Sequence, residues 1–233
     1  MSCPRVMSYI ESCLHALPEG SDSPSRLALI ARRLGYGGII ICNHTGYEKF
    51  FRPEAVKEVK GIEVAFGIEV VANNLRSMHS RVAAARLRFP FVAVHGGSEE
   101  MNKAACENPE IDVLFHPEEG RKALGIASAK AAQMNQVAIG FDLRPLIHLR
   151  GSSRSRWLEV VQRNLSLARK FELSMTITTG SRSRLDLRAP RELRALADIA
   201  GFENHETEAA LRYPARVLEL NKRRWAGPGV EIL

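Results

Sequence analysis

The sequence predicts an α/β chain folded as one domain, residues 1–233, and closed into a TIM-like (β/α)8 barrel. Three observations predict it. Short apolar runs alternate with helix-like segments, and a parallel neighbour strand needs a crossover helix. No GxGxxG or GxxxxGK[ST] follows the first run, so the nucleotide-binding open sheets lack their marker. A length of 233 residues, 45% of them hydrophobic, matches one barrel with one core.

In chain order the strand-like runs are Val6–Leu14, Gly38–Cys42, Val64–Val71, Phe91–Val94, Val113–Phe115, Val137–Phe141 and Ser174–Thr178, with a weak eighth near Phe202–Asn204. Each is a short apolar or β-branched stretch, the signature of a strand buried on both faces. Between the first two, Ser23 can cap a helix that Pro24 opens and Gly35 ends. Before the seventh, Trp157, Val160, Val161, Leu165, Leu167 and Ala168 recur at three-to-four spacing, an amphipathic helix. After it, Pro190 and Gly201 bracket another helix. The segments 18–24 and 150–156 are rich in Ser, Gly or Pro and read as loops.

Composition narrows the function classes. No apolar run reaches the length of a membrane span, and the first residues lack the basic and apolar regions of a secretory signal, so a soluble cytoplasmic protein with no membrane contact is expected. Four scattered cysteines without a CxxC pair argue for neither a disulfide framework nor a zinc ribbon. The net charge is +7, with 25 arginines against 8 lysines, and residues 151–233 hold 15 basic against 10 acidic groups. Arginine's planar fork suits phosphate oxygens, so the excess points to a polyanionic partner; arginine-rich codon usage is the plainer explanation.

In a barrel, polar residues just behind the strands share one rim. Here they are Cys13, His15, Asn43, His44, Glu69, His95, His116, Asp142, Arg144, Thr178, Thr179, Glu203 and His205. Imidazoles and carboxylates converging from several strand ends are what a divalent metal site needs. The pattern resembles the metal-dependent phosphoesterases of the polymerase and histidinol phosphatase superfamily, which carry His-x-His after the first strand and a Gly-Ile-Glu-like third strand. This chain has "CLH" at 13–15, "NH" at 43–44, "GIE" at 67–69 and "ENH" at 203–205, departing from the pattern at Cys13 and Asn43. The alternatives are rim histidines kept for hydrogen bonding, or a metal set of His15, His44, Glu69, His95 and His116 in an independent phosphoesterase.

A second resemblance covers nearly the whole chain. "VAIGFDLRPLI" at 137–147, followed by "LSMTITTGSRSRLDLRAPRELRALADIAGF" at 173–202, is similar to the archaeal ribonuclease P protein component 3 family, related to the 30-kilodalton eukaryotic subunit. The order carries it: a strand ending in Arg-Pro-Leu, an amphipathic helix, a strand ending in Thr-Thr, a basic loop, and a helix opening Pro-Arg-Glu-Leu. The resemblance implies a barrel distantly related to those phosphoesterases, with the metal ligands generally lost and no catalytic residue. It implies a subunit that supports a catalytic RNA in removing the 5′ leader of precursor tRNA, with Mg2+ serving the RNA and no intrinsic cofactor. Partners implied are that RNA, a small ferredoxin-like protein subunit and other ribonuclease P proteins, with precursor tRNA reached through the complex. A stand-alone tRNA-binding protein is a further alternative.

For RNA contact the best candidate is the loop "TTGSRSRLDLR", where Arg182, Arg184 and Arg188 lie within seven positions of one another. Arg144 is expected beside it, oriented by Asp142. Arg150 and Arg154, with Arg156, form a second basic segment. A solvated basic loop, or a rim salt bridge at Asp142, is the plain alternative. Aromatic residues are only 6% of the chain, so contacts to backbone and shape are expected over base stacking.

Overall fold

The computed structural model describes residues 8–48, 56–118, 122–222, 225–227 and 230–231. The strands are β1 (Ile10–Leu14), β2 (Gly38–Ile41), β3 (Glu63–Phe66), β4 (Ile68–Val70), β5 (Val92–His95), β6 (Val113–Phe115), β7 (Ala138–Asp142) and β8 (Met175–Thr178). The helices are α1 (Pro24–Leu34), α2 (Leu75–Arg86), α3 (Glu99–Cys106), α4 (Ile126–Asn135), α5 (Arg144–His148), α6 (Gly151–Lys170), α7 (Pro190–Ala200) and α8 (Asn204–Lys222). Two short strands, β9 (Trp225–Gly227) and β10 (Val230–Glu231), pair antiparallel near the end of the chain.

Every pairing among β1 to β8 is parallel, in the ladders β1-β2-β3 and β4-β5-β6-β7-β8. Gly67 joins the ladders. Its N–H donates to Ile41 O, the next N–H, of Ile68, donates to Phe91 O, and β3 with β4 forms one bent strand. A Cβ at Gly67 would lie 2.6 Å from Phe91 O and 3.0 Å from Cys42 Sγ, so only glycine lets the strand turn there. The predicted run Val64–Val71 is thus this pair. Of the predicted Val6–Leu14 run, residues 6 and 7 lie outside the described residues.

Side chains alternate across the sheet with period two. Ile40, Ala65, Phe91, Ala93, Val113, Phe115 and Ala138 fill the interior, while Ile39, Ile41, Val92, Val94, Leu114 and Ile139 face the helix layer. α8 reaches both layers: Ala210 and Leu211 join the outer one, and Val217 and Leu218 join the interior one. Its last turn reaches the starts of β5 and β6, where Asn221 Nδ2 donates to Pro90 O and Asp112 Oδ1. The weak eighth strand expected near Phe202–Asn204 is therefore corrected: Phe202 is packed edge-to-face on Phe141, and the chain enters α8 at Asn204.

The seam between β8 and β1 is closed by side chains and loop backbone in place of a ladder. The Glu11 carboxylate accepts from the Thr178 hydroxyl at 3.1 Å and from the Thr179 N–H at 2.9 Å; Thr178 also donates to Ser12 O, and His15 N–H donates to Ser181 O at 2.9 Å. Burial pushes the Glu11 carboxyl up to about 7, opposed by these hydrogen bonds and one from Tyr36.

α1 follows its sequence signals: Ser23 Oγ accepts from Arg26 N–H, Pro24 opens the first turn and Gly35 ends it at φ 99°. α7 likewise runs from Pro190 to Gly201 at φ 101°. The predicted 150–156 loop is corrected to helix. α6 begins at Gly151 without a side-chain cap, and the burial of Val161, Leu165 and Ala168 outweighs the weak helix preference of Gly and Ser in its first turn.

Candidate functional site

The strand ends bring five predicted residues to one place around Glu69, which alternation on β4 turns inward and leaves fully buried. His95 Nδ1 lies 2.6 Å from Glu69 Oε1, with His44 Nε2 at 3.6 Å and His116 Nε2 at 3.8 Å from the same oxygen. On Oε2, Cys13 Sγ donates at 2.9 Å and His15 Nε2 lies at 3.9 Å. The imidazoles form a chain, with ring centroids 4.7 Å apart for His15–His44, 5.6 Å for His44–His95 and 4.4 Å for His95–His116. Cys13 and His116 both adopt the left-handed backbone, at φ 58° and 55°, a costly conformation for a residue with a Cβ.

Glu19, which no sequence motif marked, completes the cluster. It accepts from His44 N–H at 2.8 Å, its Oε1 lies 2.5 Å from His44 Nδ1, and its Oε2 lies 3.4 Å from His15 Nδ1. A carboxylate only accepts, so His44 Nδ1 carries a proton toward Glu19. Burial acts against charge on His44, but the bonds to Glu19 and Glu69 outweigh it and push the imidazole up to about 9. Burial also opposes charge on Glu69, yet His44, His95 and His116 hold its carboxyl well below the usual range. Burial, Cys42 and Glu69 push the Cys13 thiol well above its ordinary value.

Asn43 departs from the phosphoesterase pattern for a structural reason: Nδ2 donates to Ala16 O and Oδ1 accepts from Ala16 N–H, stapling the loop that carries His15 and Glu19. Glu203 and His205 are corrected as rim residues. They open α8, exposed and 3.4 Å from each other, apart from the cluster.

Above the histidines a cavity of about 730 Å3 is walled by α5, α6 and the loop after β8. Arg144 and Arg182 line it, together with Arg156 and Arg163 from α6. Asp142 does not orient the Arg144 guanidinium as expected; its Oδ1 accepts the Arg144 backbone N–H at 2.8 Å, fixing the turn into α5. Gly180, at φ 50°, passes over that carboxylate, and a Cβ there would lie 3.0 Å from Asp142 Oδ2. Burial raises the Asp142 carboxyl, opposed by His116 and Arg144.

Three of the other predicted arginines already have protein partners. Arg184 donates from its backbone and from Nη1 to the buried Asp22 carboxylate, both at 2.8 Å. The Arg188 Nη1 bonds to the carbonyls of Leu185, Asp186 and Leu187, and Arg154 Nε bonds to Leu149 O at 2.8 Å. Arg150 is exposed at the start of α6. Arg182 is about half exposed, its Nη2 3.6 Å from Glu19 Oε1, so it links the cavity wall to the histidine cluster. Sequence reasoning missed Glu19 and Asp22 in the 18–24 loop, and Trp157, Arg163 and His148 as cavity lining. The alternation of apolar residues gave Trp157 a helix face but not its cavity.

The donor set fits a divalent metal. His44, Glu69 and His95 offer donors within 4.8 Å of one another, as do Cys13, His15 and Glu69, and the buried His15 Nδ1 and His44 Nε2 have no hydrogen-bond partner among the described residues.

The family model for RNase P subunit p30 matches residues 8–226. Ribonuclease P protein component 3 of Methanosarcina mazei is 39% identical over 223 residues, covering 95% of this chain and 92% of the relative. The fold is similar to a chain in the cryo-EM structure of archaeal ribonuclease P with mature tRNA, at a TM-score of 0.82 and 20% identity over 96% of this chain and 97% of that one. It is also similar to histidinol phosphate phosphatase from Lactococcus lactis, solved with zinc, L-histidinol and phosphate, at a TM-score of 0.55 and 13% identity over 84% and 94% of the two chains.

Proposed function

The chain belongs to the RNase P subunit p30 family, and we propose that it acts in ribonuclease P as a non-catalytic protein subunit that supports the RNA in removing the 5′ leader of precursor tRNA. The observation that carries this reading is end-to-end agreement: relatives named for that subunit align with more than nine-tenths of both chains. The polyanion-directed charge of the sequence agrees with an RNA partner. In this reading Mg2+ serves the RNA-catalysed reaction, and other ribonuclease P proteins, including a small ferredoxin-like subunit, complete the assembly. Among the described residues no helix is long and apolar enough to cross a membrane, which agrees with work in the cytoplasm.

The cavity-facing arginines, Arg144 and Arg182, are the groups best disposed to meet RNA phosphate, because Arg184, Arg188 and Arg154 already bond within the protein. Arg150 is exposed and lies in sequence between the cavity-lining Leu149 and Ser153. The chain's own contribution is to neutralise phosphate and fix RNA shape, leaving the choice of bond to the RNA.

Capture of the tagged chain from its native cells tests the assembly. A single structured RNA of fixed sequence, recovered together with further proteins, is the expected result. Recovery of mixed mature tRNAs with no other RNA or protein would instead favour a stand-alone tRNA-binding protein.

A further inference from the structure

We propose that the cavity over the barrel mouth takes one unpaired nucleotide of the partner RNA, with its base against the α6 wall at Trp157 and a flanking phosphate on Arg144 and Arg156. The proposal rests on the RNA-binding reading above and adds to it the recognition of a base, where the composition of the chain led to an expectation of backbone and shape contacts alone.

The helical start of α6 builds the wall. Ser153, Arg156, Trp157 and Val160 line the cavity, and their spacing of three, four and seven puts them on one helix face, polar at its start and apolar further along. Pro145 and Leu149, from α5 and the residue after it, add apolar surface to the same cavity. Its volume of about 730 Å3 lies within the roughly 300–1,000 Å3 of small-molecule sites. That space holds a single nucleotide and excludes a duplex, so the occupant is a residue splayed out of its strand.

Charge selects the other half of the ligand. Of the four arginines that line the cavity, Arg163 is bonded to Glu159 and Arg182 lies 3.6 Å from Glu19. The guanidinium groups of Arg144 and Arg156 have no hydrogen-bond or ion-pair partner among the described residues, and Arg144 is partly buried. A guanidinium drawn partly out of water without a partner is costly, and a phosphate meets it with paired charge-assisted hydrogen bonds. Inorganic phosphate would leave the apolar wall unused, whereas a nucleotide engages both.

Trp157 supplies the third observation. It packs on the core and lines the cavity, yet its Nε1–H is buried without an acceptor among the described residues. Buried indole donors ordinarily find a partner. The apolar side chains of Pro145, Leu149 and Val160 offer none, while a base edge carries carbonyl and ring-nitrogen acceptors.

The test uses the full chain with Trp225→Phe, which leaves Trp157 as the single tryptophan. The probe is uridine 3′,5′-bisphosphate, one RNA residue with both of its backbone phosphates, beside the same bisphosphate without its base. Saturable quenching of Trp157 emission by the uridine compound is expected, with the base-free compound at least about fivefold weaker in calorimetry. Trp157→Leu should weaken the uridine compound alone, by the same factor, whereas Arg144→Ala should weaken both compounds about tenfold. Should Trp157→Leu fail to fold, Ser153→Trp, which fills the cavity from an exposed position of α6, should bring the same loss. Equal affinity with and without the base, or a loss on Trp157→Leu shared by both compounds, overturns the proposal. Base-dependent binding in a chain that captures no ribonuclease P RNA from cells would support the pocket and overturn the assembly reading; capture of that RNA without base dependence would do the reverse.

Discussion

At the scale of single residues, the arginines of the loop after β8 and of the neighbouring turn into α5 divide between two jobs. Arg184 holds the loop to Asp22, and Arg188 holds it to its own carbonyls, whereas Arg182 and Arg144 face the cavity. Replacing Arg144 and Arg182 with alanine should therefore flatten the salt dependence of RNA binding, by about 0.9 per lost phosphate contact on a log–log plot for a duplex-like partner. Arg184→Ala should leave that slope unchanged and lower stability instead. Equal slopes for both variants in filter binding across a salt series would show that the two pairs do not differ. Asp22 gives a second check. Its carboxyl is held below the usual range, by the Arg184 N–H first, against burial and then with the Arg184 guanidinium. A depressed pKa stabilises fully above the unfolded value and is lost as the pH falls through the folded one. Asp22→Asn should thus cost about 1–2 kcal/mol near neutral pH, discounted because the Arg184 side chain is 40% exposed, with the gap to wild type closing below about pH 4 in denaturant melts. A gap that widens on acidification would refute the pairing. Asp22 and Glu19 were illegible in the sequence because their loop takes its shape from distant contacts, such as His15 N–H to Ser181 O and Ser21 N–H to Arg182 O.

At the scale of elements, the strands were legible because burial on both faces leaves continuous apolar runs, and the rim histidines were legible because they follow those runs directly. The opening turn of α6 and the whole of α8 were not. α6 opens with Gly151, Ser152 and Ser153 and no side-chain cap, so the first turn exists only through packing further along the helix. α8 carries Pro214 in its interior, where the missing N–H speaks against a helix, yet that residue is buried and the helix continues to Lys222. Its function in the fold gives a prediction. Leu218 is 2% exposed and packs with the barrel interior, so Leu218→Ala should cost about 2–5 kcal/mol of unfolding free energy. Ile199→Ala, at a 58% exposed position of α7, should cost less than about 0.5 kcal/mol. Similar urea midpoints for the two variants would mean that α8 does not complete the core.

At the scale of the molecule, the barrel keeps a strand-end cluster of histidines at its mouth and surrounds that mouth with arginine. The central claim is that such a chain supports an RNA catalyst and does not itself cut. The most direct measurement is single-turnover cleavage of precursor tRNA in Mg2+ by ribonuclease P reconstituted from its RNA and the other protein subunits, with and without this chain, beside the chain alone. The account predicts that omission lowers the cleavage rate, that addition restores it without moving the cleavage site, and that the chain alone leaves precursor tRNA intact. Leader removal by the isolated chain, abolished by Glu69→Gln, would contradict the claim and make the barrel a phosphoesterase in its own right.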